Sequence, residues 1–298
     1  MPIATWGLLL LLSFVWSLSF TTAEILLETA LPFTIVFYRV LIASLIMIVL
    51  IRGLGKRIPY APRALFFLFL MGLTNNALPF SAIVYGQQFI TGGLATIINT
   101  NTAFLTLIFS SLILADERLT TIRVLGLALG IAGVVIAIGP HELLYFSMEN
   151  LGEQCVLFAT LCYAVSTTLA RKLIKGIDPL VSVTIMLSSS ALWMSVIVLF
   201  MEGVPTIPLS GVNIASILTL AGLSTSLAYI LYFMLLDRAG AGSTALVTVI
   251  IPPVTMIMDA FILGDEITGQ QLAGFVFVAC GMFMVARGLP QAPPRPAS

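Results

Sequence analysis

Charged residues are scarce in this chain. They make up only 9% of its 298 residues, whereas 59% are hydrophobic. A soluble domain carries roughly 25% charged residues, so the composition excludes an ordinary soluble globular protein. The formal net charge is zero, which gives no sign of the basic surface that a nucleic-acid-binding protein needs.

Histidine and cysteine are also rare, with one His and three Cys. Cys155, Cys162 and Cys280 lie in apolar runs without metal-ligand or disulfide-framework spacing, and we interpret them as small buried hydrophobic residues. The sequence contains no HExxH or GxSxG motif and no paired carboxylates inside an apolar run. We therefore expect no catalytic residues, no metal and no cofactor.

Long apolar stretches fill the rest of the chain, and each is close to the length that crosses a bilayer. They must be helices, because an open strand cannot satisfy its backbone in lipid. The proline-rich segment 289–298 is predicted to be a disordered tail. The ten apolar stretches are at about 3–21, 33–51, 64–87, 93–114, 121–139, 152–170, 179–200, 212–236, 243–263 and 269–286.

Basic residues predict the orientation. Twelve of the 13 Lys and Arg residues follow even-numbered helices or lie in the tail, and the loops after odd-numbered helices hold none. Since cytoplasmic loops are the ones enriched in Lys and Arg, both termini are predicted to be cytoplasmic in a multi-pass protein of the plasma membrane, the inner membrane of a bacterial cell. The twelve are Arg52, Lys56, Arg57, Arg63, Arg118, Arg123, Arg171, Lys172, Lys175, Arg238, Arg287 and Arg295.

The two halves of the chain resemble each other at an offset of 147–150 residues. Short matches recur in order: Pro32 with Pro179, Gly72 with Gly222, the acidic turn 115–117 with 264–266, Gly126 with Gly274 and Gly133 with Gly281. Ordered matches at one offset indicate a duplication. Because five helices is an odd number, the second copy must be inverted. We predict an all-α membrane protein of ten transmembrane helices in two inverted five-helix repeats, 1–140 and 141–288.

This arrangement resembles the drug/metabolite transporter superfamily, EamA type. The resemblance covers residues 3–287 and rests on Trp16 and Tyr163 in helices 1 and 6, a proline opening helices 2 and 7, Arg39 early in helix 2, and acidic turns before the glycine-rich helices 5 and 10. It implies alternating access and the export or exchange of metabolites, as in YddG-like exporters of aromatic amino acids.

Polar and aromatic residues in the middle of helices are the candidates for a substrate site, because such sites in inverted-repeat transporters lie near the membrane midplane. The alternative is that these groups bond neighbouring helices to each other. Pro252, with Pro253, frees backbone carbonyls inside helix 9. The candidate substrate-binding residues are Ser13, Trp16, Asn75, Asn76, Asn101, Tyr163, Ser166, Tyr229 and Pro252.

Two charged side chains lie well inside predicted helices, Arg39 in helix 2 and Asp259 in helix 9. Intramembrane charges are costly and often functional, so one hypothesis pairs them as an external gate; the other gives each a separate partner. Glu117 and Glu266 are expected to cap helices 5 and 10. Gly126 and Gly130 form a GxxxG pattern that permits close helix contact, within one protomer or between two.

The sequence thus predicts a transporter of small organic metabolites, with amino acids, aromatic ones included, as the leading substrate class. Purines or drug-like compounds are the alternative, and an intramembrane enzyme or a channel are alternatives of another kind. The expected partners are a small-molecule substrate and the lipid bilayer, with no nucleic acid, in a monomer or a dimer.

Overall fold

The computed structural model describes residues 3–58, 61–113, 120–139, 150–174, 176–244 and 246–287, and these residues are all-helical. They form ten apolar helices. Eight are long and apolar enough to cross a membrane; Val247–Ile262 and the apolar part Gly269–Val285 of the last helix are shorter. Glu117, His141 and the tail 289–298 lie outside the described residues. The chain is a multi-pass membrane protein with the predicted helix count.

The helices are numbered here in chain order. In the first half they are α1 (Ile3–Leu27), α2 (Pro32–Gly53), α3 (Pro62–Gly86), α4 (Gly92–Ile113) and α5 (Thr121–Ile138). In the second half they are α6 (Leu151–Leu173), α7 (Pro179–Met201), α8 (211–244), α9 (Val247–Ile262) and α10 (Gly269–Arg287).

Helix α1 is longer than its apolar run predicts. It continues through polar residues to Leu27, because these find partners on other helices: the Thr21 hydroxyl donates to Asp259 Oδ1 at 2.6 Å, and the Gly92 amide donates to Glu24 Oε2 at 3.0 Å. Satisfied polar groups allow the helix to extend by about 1.5 Å per residue. The extension brings Glu24 beside α4 and α9.

Helices α2 and α7 pack antiparallel, and a carboxylate links their ends at each face. At one face the Glu202 carboxylate, just after α7, accepts the backbone N–H groups of Phe33 and Thr34 at 2.8 and 2.7 Å. At the other face Asp178 caps the start of α7 and pairs with Lys56, which follows α2. An anion at each helix N-terminus meets unpaired N–H groups and the positive end of the helix dipole.

Glycines let α5 and α10 touch backbone to backbone. A Cβ at Gly126 would lie 2.7 Å from the Gly281 carbonyl oxygen, and one at Gly133 would lie 2.7 Å from that of Gly274. The contact order is reversed along the two chains, so the helices are antiparallel, and the duplicated glycines meet each other. The GxxxG pattern therefore serves a contact within the protomer.

Helices α3 and α8 each contain a π-helical segment at the same point of the repeat, Gly72–Ala77 and Thr219–Leu227. No sequence pattern predicted these segments. They widen the turn, and the Thr225 and Ser226 hydroxyls reach carbonyl oxygens five residues back, at 2.8 and 3.0 Å. Such π-bulges are frequent at functional sites.

The outer surface is apolar, with large exposed side chains such as Leu112, Phe200 and Phe261. Such a surface is stable in lipid, because apolar side chains there avoid the free-energy cost of contact with water. The prediction that the cysteines are buried is wrong for Cys280, which is exposed on this surface. Cys155 and Cys162 are half-buried. A thiol is small and weakly polar, so lipid tolerates it as well as a core does.

Candidate functional site

A buried guanidinium lies at the centre of the candidate site. Arg39 of α2 is only 7% exposed. Its Nε–H donates to Thr225 Oγ1 of α8 at 2.9 Å, and its Cζ lies 3.8 Å from the centroid of the Phe80 ring of α3. Within the described residues its other N–H groups have no hydrogen-bond partner, and no carboxylate is within ion-pair distance of it.

Aromatic rings surround this cation. The Phe80 ring contacts Tyr163 of α6 edge-on, with centroids 6.5 Å apart and an interplanar angle of 61°. Tyr163 and Tyr229 are also close enough to Arg39 to interact with its charge. A cation over an aromatic face gains about 0.5–2 kcal/mol, which offsets part of the cost of burying it.

A second group of polar atoms joins the site from α3 and α8. The Tyr229 hydroxyl donates to Asn76 Oδ1 at 2.9 Å, and the Asn75 side chain lies beside the same hydroxyl. Asn76 is fully buried, and its Nδ2 has no partner. The central cluster is defined here as Arg39, Asn76, Phe80, Tyr163, Thr225 and Tyr229.

The π-helical segments position this cluster. Asn76 lies in the π segment of α3 and Thr225 in that of α8. Thr225 donates its hydroxyl proton to the Leu220 carbonyl, which leaves oxygen lone pairs to accept from Arg39. The two repeats therefore meet at the cluster through equivalent irregular turns, as expected for a site between inverted repeats.

The cluster has more hydrogen-bond donors than acceptors. Within the described residues the Arg39 nitrogens other than Nε have no hydrogen-bond partner, and neither has the buried Asn76 Nδ2. An unpaired buried donor costs about 1–3 kcal/mol, and more when it is charged. Chemically, the arrangement can accept a planar anion and an adjacent flat apolar group.

Other predicted site residues make contacts between helices. Ser13 of α1 donates to the carbonyl oxygens of Leu9 and, at a long 3.5 Å, Val247 of α9. Ser166 of α6 donates to Thr74 Oγ1 of α3 at 2.8 Å. Trp16 of α1 packs against Tyr232 of α8 in a tilted arrangement, with ring centroids 5.8 Å apart. Ser13 and Trp16 lie on α1, which contributes no member of the central cluster, whereas Ser166 shares α6 with Tyr163.

The prolines of α9 lie inside a continuous helix, with Pro252 buried. Since Pro252 has no N–H, it cannot bond the carbonyl of Thr248 four residues earlier. The Thr100 hydroxyl of α4 approaches that oxygen at 3.4 Å. Asn101 follows in α4, buried and with its Oδ1 unpartnered. This group is separate from the central cluster.

Of the two hypotheses for Arg39 and Asp259, the direct pair does not form. Asp259 accepts from Thr21, whereas Arg39 bonds Thr225, so each charge has its own partners. A gating role for either residue stays a prediction. Glu266 is also not the cap of α10: Thr268 and Gln271 satisfy each other's backbone N–H groups there, at 3.2 and 3.1 Å.

An open groove of about 440 Å³ lies elsewhere, at the face of the basic loops, between α2, α3 and α7. Its walls include Ile51, Phe69 and Leu192, with Arg52 and Lys56 at its end. It opens to the lipid-facing surface rather than to the central cluster. We therefore locate the candidate site at the buried cluster and not at this groove.

Family models and relatives identify the class of protein. The model of the EamA-like transporter family matches the chain twice, at residues 5–139 and 150–287. The chain belongs to the EamA-like transporter family. It is therefore a transporter of small metabolites and not an enzyme, and each family match spans five of the ten helices.

Two relatives of this EamA-like chain are distant but match nearly its full length. An uncharacterized transporter of Archaeoglobus fulgidus is 27% identical over 95% of this chain and 98% of its own. A probable amino-acid metabolite efflux pump of Salmonella typhimurium is 28% identical, with 93% of each chain covered. One solved crystal structure superposes with a TM-score of 0.69 over 95% of this chain and 98% of its own; at 14% identity this likeness shows the fold alone.

Proposed function

We propose that this transporter exports or exchanges amino acids by alternating access, with the substrate bound at the central cluster. The observation that carries the proposal is the Arg39 guanidinium, which is buried over Phe80 without an acidic partner in the described residues. A buried charge is retained only where something compensates it. A substrate carboxylate would do so.

The donor geometry supports a carboxylate. Arginine presents a planar fork that matches the two oxygens of a carboxylate or phosphate. Phosphate recognition normally gathers several cations, and Arg39 is the only Lys or Arg that lies more than one turn inside a predicted helix. One guanidinium with a spare Asn76 Nδ2 fits a singly charged anion better.

The aromatic members support a flat side chain on the same substrate. Phe80 and Tyr163 lie next to the guanidinium, so a ring attached near the carboxylate could stack on them. The name of the Salmonella typhimurium relative, a probable amino-acid metabolite efflux pump, agrees with this substrate class. We therefore favour aromatic amino acids among the amino acids.

The predicted orientation gives the face from which an exported substrate would enter. With the basic loops in the cytoplasm, export requires the cluster to open first toward that face. The contacts of Asp178 with Lys56 and of Glu202 with the start of α2 close α2 against α7 at the two ends. We propose that these contacts break alternately, one at each face, as the repeats rock.

Counterflow in proteoliposomes tests the proposal. Vesicles loaded with one unlabelled candidate at millimolar concentration would take up the labelled form transiently, and this uptake would saturate. We expect counterflow with aromatic amino acids and none with their decarboxylated amines. Counterflow confined to purines would overturn the substrate class, and non-saturating flux without counterflow would indicate a channel.

A further inference from the structure

Three carboxylates converge at the face opposite the basic loops. Glu24 near the end of α1, Asp259 near the end of α9 and Asp265 in the turn before α10 each offer an oxygen within 4.8 Å of the others. Asp259 is 1% exposed and the other two are half-buried. These three residues are called the acidic cluster below.

Buried oxygen atoms without partners lie at this cluster. Gln87 at the end of α3 is 5% exposed; its Nε2 donates to the Phe20 carbonyl at 3.0 Å and also faces the Glu24 carboxylate, and its Oε1 has no partner. Asp259 Oδ2 and Asp265 Oδ2 are also buried without a well-formed hydrogen bond, although the Gly93 amide faces the Asp259 carboxylate. Such orphaned acceptors are rare in folded proteins.

The side chains meet at one point beside the start of α4. A Cβ on Gly92 would lie 2.6 Å from Asp259 Oδ2, 3.0 Å from Glu24 Oε2 and 3.4 Å from Gln87 Nε2. The absence of a side chain at Gly92 leaves the carboxylates close together. Elements from both repeats, α1, α3 and α4 with α9, therefore contribute to the same small volume.

Within the described residues no Lys or Arg forms an ion pair with the acidic cluster. The ion pair between Lys56 and Asp178 lies at the other face. The loops of this face contain no Lys or Arg, and the other charged side chains beside the cluster in sequence, Glu28 and Glu266, are also acidic. Carboxylates this close cannot all remain ionised without a cation.

We propose that the acidic cluster binds a divalent hard cation of about the size of Ca²⁺ and so fastens α1 to α9. All the available donors are oxygens, which is the set that Ca²⁺ prefers, at about 2.3–2.6 Å from the metal. Oxygens up to 4.8 Å apart can all lie at that distance from a single ion placed between them. Mg²⁺ demands tighter octahedral geometry, and Na⁺ would leave more negative charge uncompensated.

Cation binding to the purified, chelator-treated protein tests this inference independently of transport. We expect Ca²⁺ to raise the melting temperature saturably, by about 2–4 °C at tenfold its Kd, with a Kd on the order of 10⁻⁴–10⁻³ M. Isothermal titration should give about one ion per chain. Asp259→Asn and Asp265→Asn should abolish the Ca²⁺ response.

Glu266→Gln is the matched control, because Glu266 is the exposed neighbour of Asp265 and carries the same charge. It should keep the full Ca²⁺ response. The inference is overturned if wild type shows no saturable response. It is equally overturned if Asp265→Asn and Glu266→Gln weaken the Ca²⁺ response to the same extent. A third contrary outcome is stabilisation of the protein by acid but not by Ca²⁺, because a proton would then occupy the cluster. If Asp259→Asn fails to fold, the Asp265→Asn variant decides the test, because Asp265 is only half-buried.

Discussion

Burying Arg39 is costly. In the described structure its contacts are one hydroxyl and one aromatic face. Removing a guanidinium from water costs several kcal/mol, which these two contacts do not offset in full. A side chain kept at such a cost in a membrane is a functional candidate by default.

Arg39→Lys tests whether the planar fork matters as well as the charge. Lysine keeps the positive charge but loses the Nε contact with Thr225 and the bidentate geometry. We expect the counterflow KM for the amino acid to rise about tenfold, equivalent to about 1.4 kcal/mol. Arg52→Lys, at the exposed end of the same helix, should leave KM unchanged. Equal effects of both variants would contradict a specific role for Arg39.

Asp178 gives a prediction about pH. Burial alone would raise the pKa of its carboxyl, but the Lys56 ammonium and the Leu180 and Val181 amides outweigh burial and hold the pKa below 3.8. The stabilisation is therefore fully present above pH 3.8 and is lost as the pH falls through the lowered pKa. Because the pair is partly exposed, it contributes less than about 1 kcal/mol.

Two variants separate the charge of Asp178 from its capping role. Asn caps a helix about as well as Asp, so Asp178→Asn should lose only the ionic part, and its stability difference from wild type should shrink below about pH 4. Asp178→Ala should cost about 1 kcal/mol more at every pH. Thermal melts from pH 3.5 to 8 measure both. A constant difference for Asp178→Asn across this range would refute the pKa argument.

At the scale of helices, the sequence predicted most elements and missed their irregularities. Apolar run lengths and the prolines at positions 32 and 179 located the helices because the bilayer fixes their length and Pro favours a first turn. The predicted end of α1, at residue 21, was wrong, and the helix continues to Leu27. Thr21 and Glu24 have partners on α9 and α4, and a local sequence pattern does not contain such long-range contacts. The π segments left no recognisable signal.

The contact of α5 with α10 gives a test of glycine packing. Gly133→Ala would place a Cβ 2.6–2.8 Å from atoms of α10, including backbone N and O. Backbone cannot yield as a flexible side chain can, so we expect a loss of about 1–3 kcal/mol, measured as a lower melting temperature.

Gly7→Ala is the control, because that glycine is also helical but has nothing within 4 Å of its Cβ position. Alanine there should be neutral or should stabilise by up to about 1 kcal/mol through helix propensity. Similar destabilisation at both positions would mean that α5 and α10 do not touch as described.

Parts of the candidate site were visible in the sequence and parts were not. Asn76, Tyr163 and Tyr229 were predicted as site residues and lie in the central cluster. Phe80 was missed, because one phenylalanine among the chain's 19 carries no distinguishing signal. Whether Arg39 pairs with Asp259 stayed open in the sequence, since helix adjacency cannot be read from a single sequence.

For the whole molecule, the predicted orientation can be tested by cysteine labelling. In a variant without native cysteines, single cysteines near residues 54 and 176 should react with a membrane-impermeant maleimide only from the cytoplasmic side. A cysteine near residue 204 should react only from the other side. Labelling of positions 54 and 176 from opposite sides would contradict the inverted repeat.

The central claim is that Arg39 binds the carboxylate of an amino-acid substrate, and one cycle of four measurements tests it most directly. Counterflow inhibition by an aromatic amino acid and by its methyl ester is compared in wild type and Arg39→Gln. A charged hydrogen bond contributes about 1.5–3 kcal/mol, so wild type should prefer the acid by about 10- to 100-fold, and the variant by less than about twofold. An equal preference in both proteins would show that Arg39 does not contact the carboxylate.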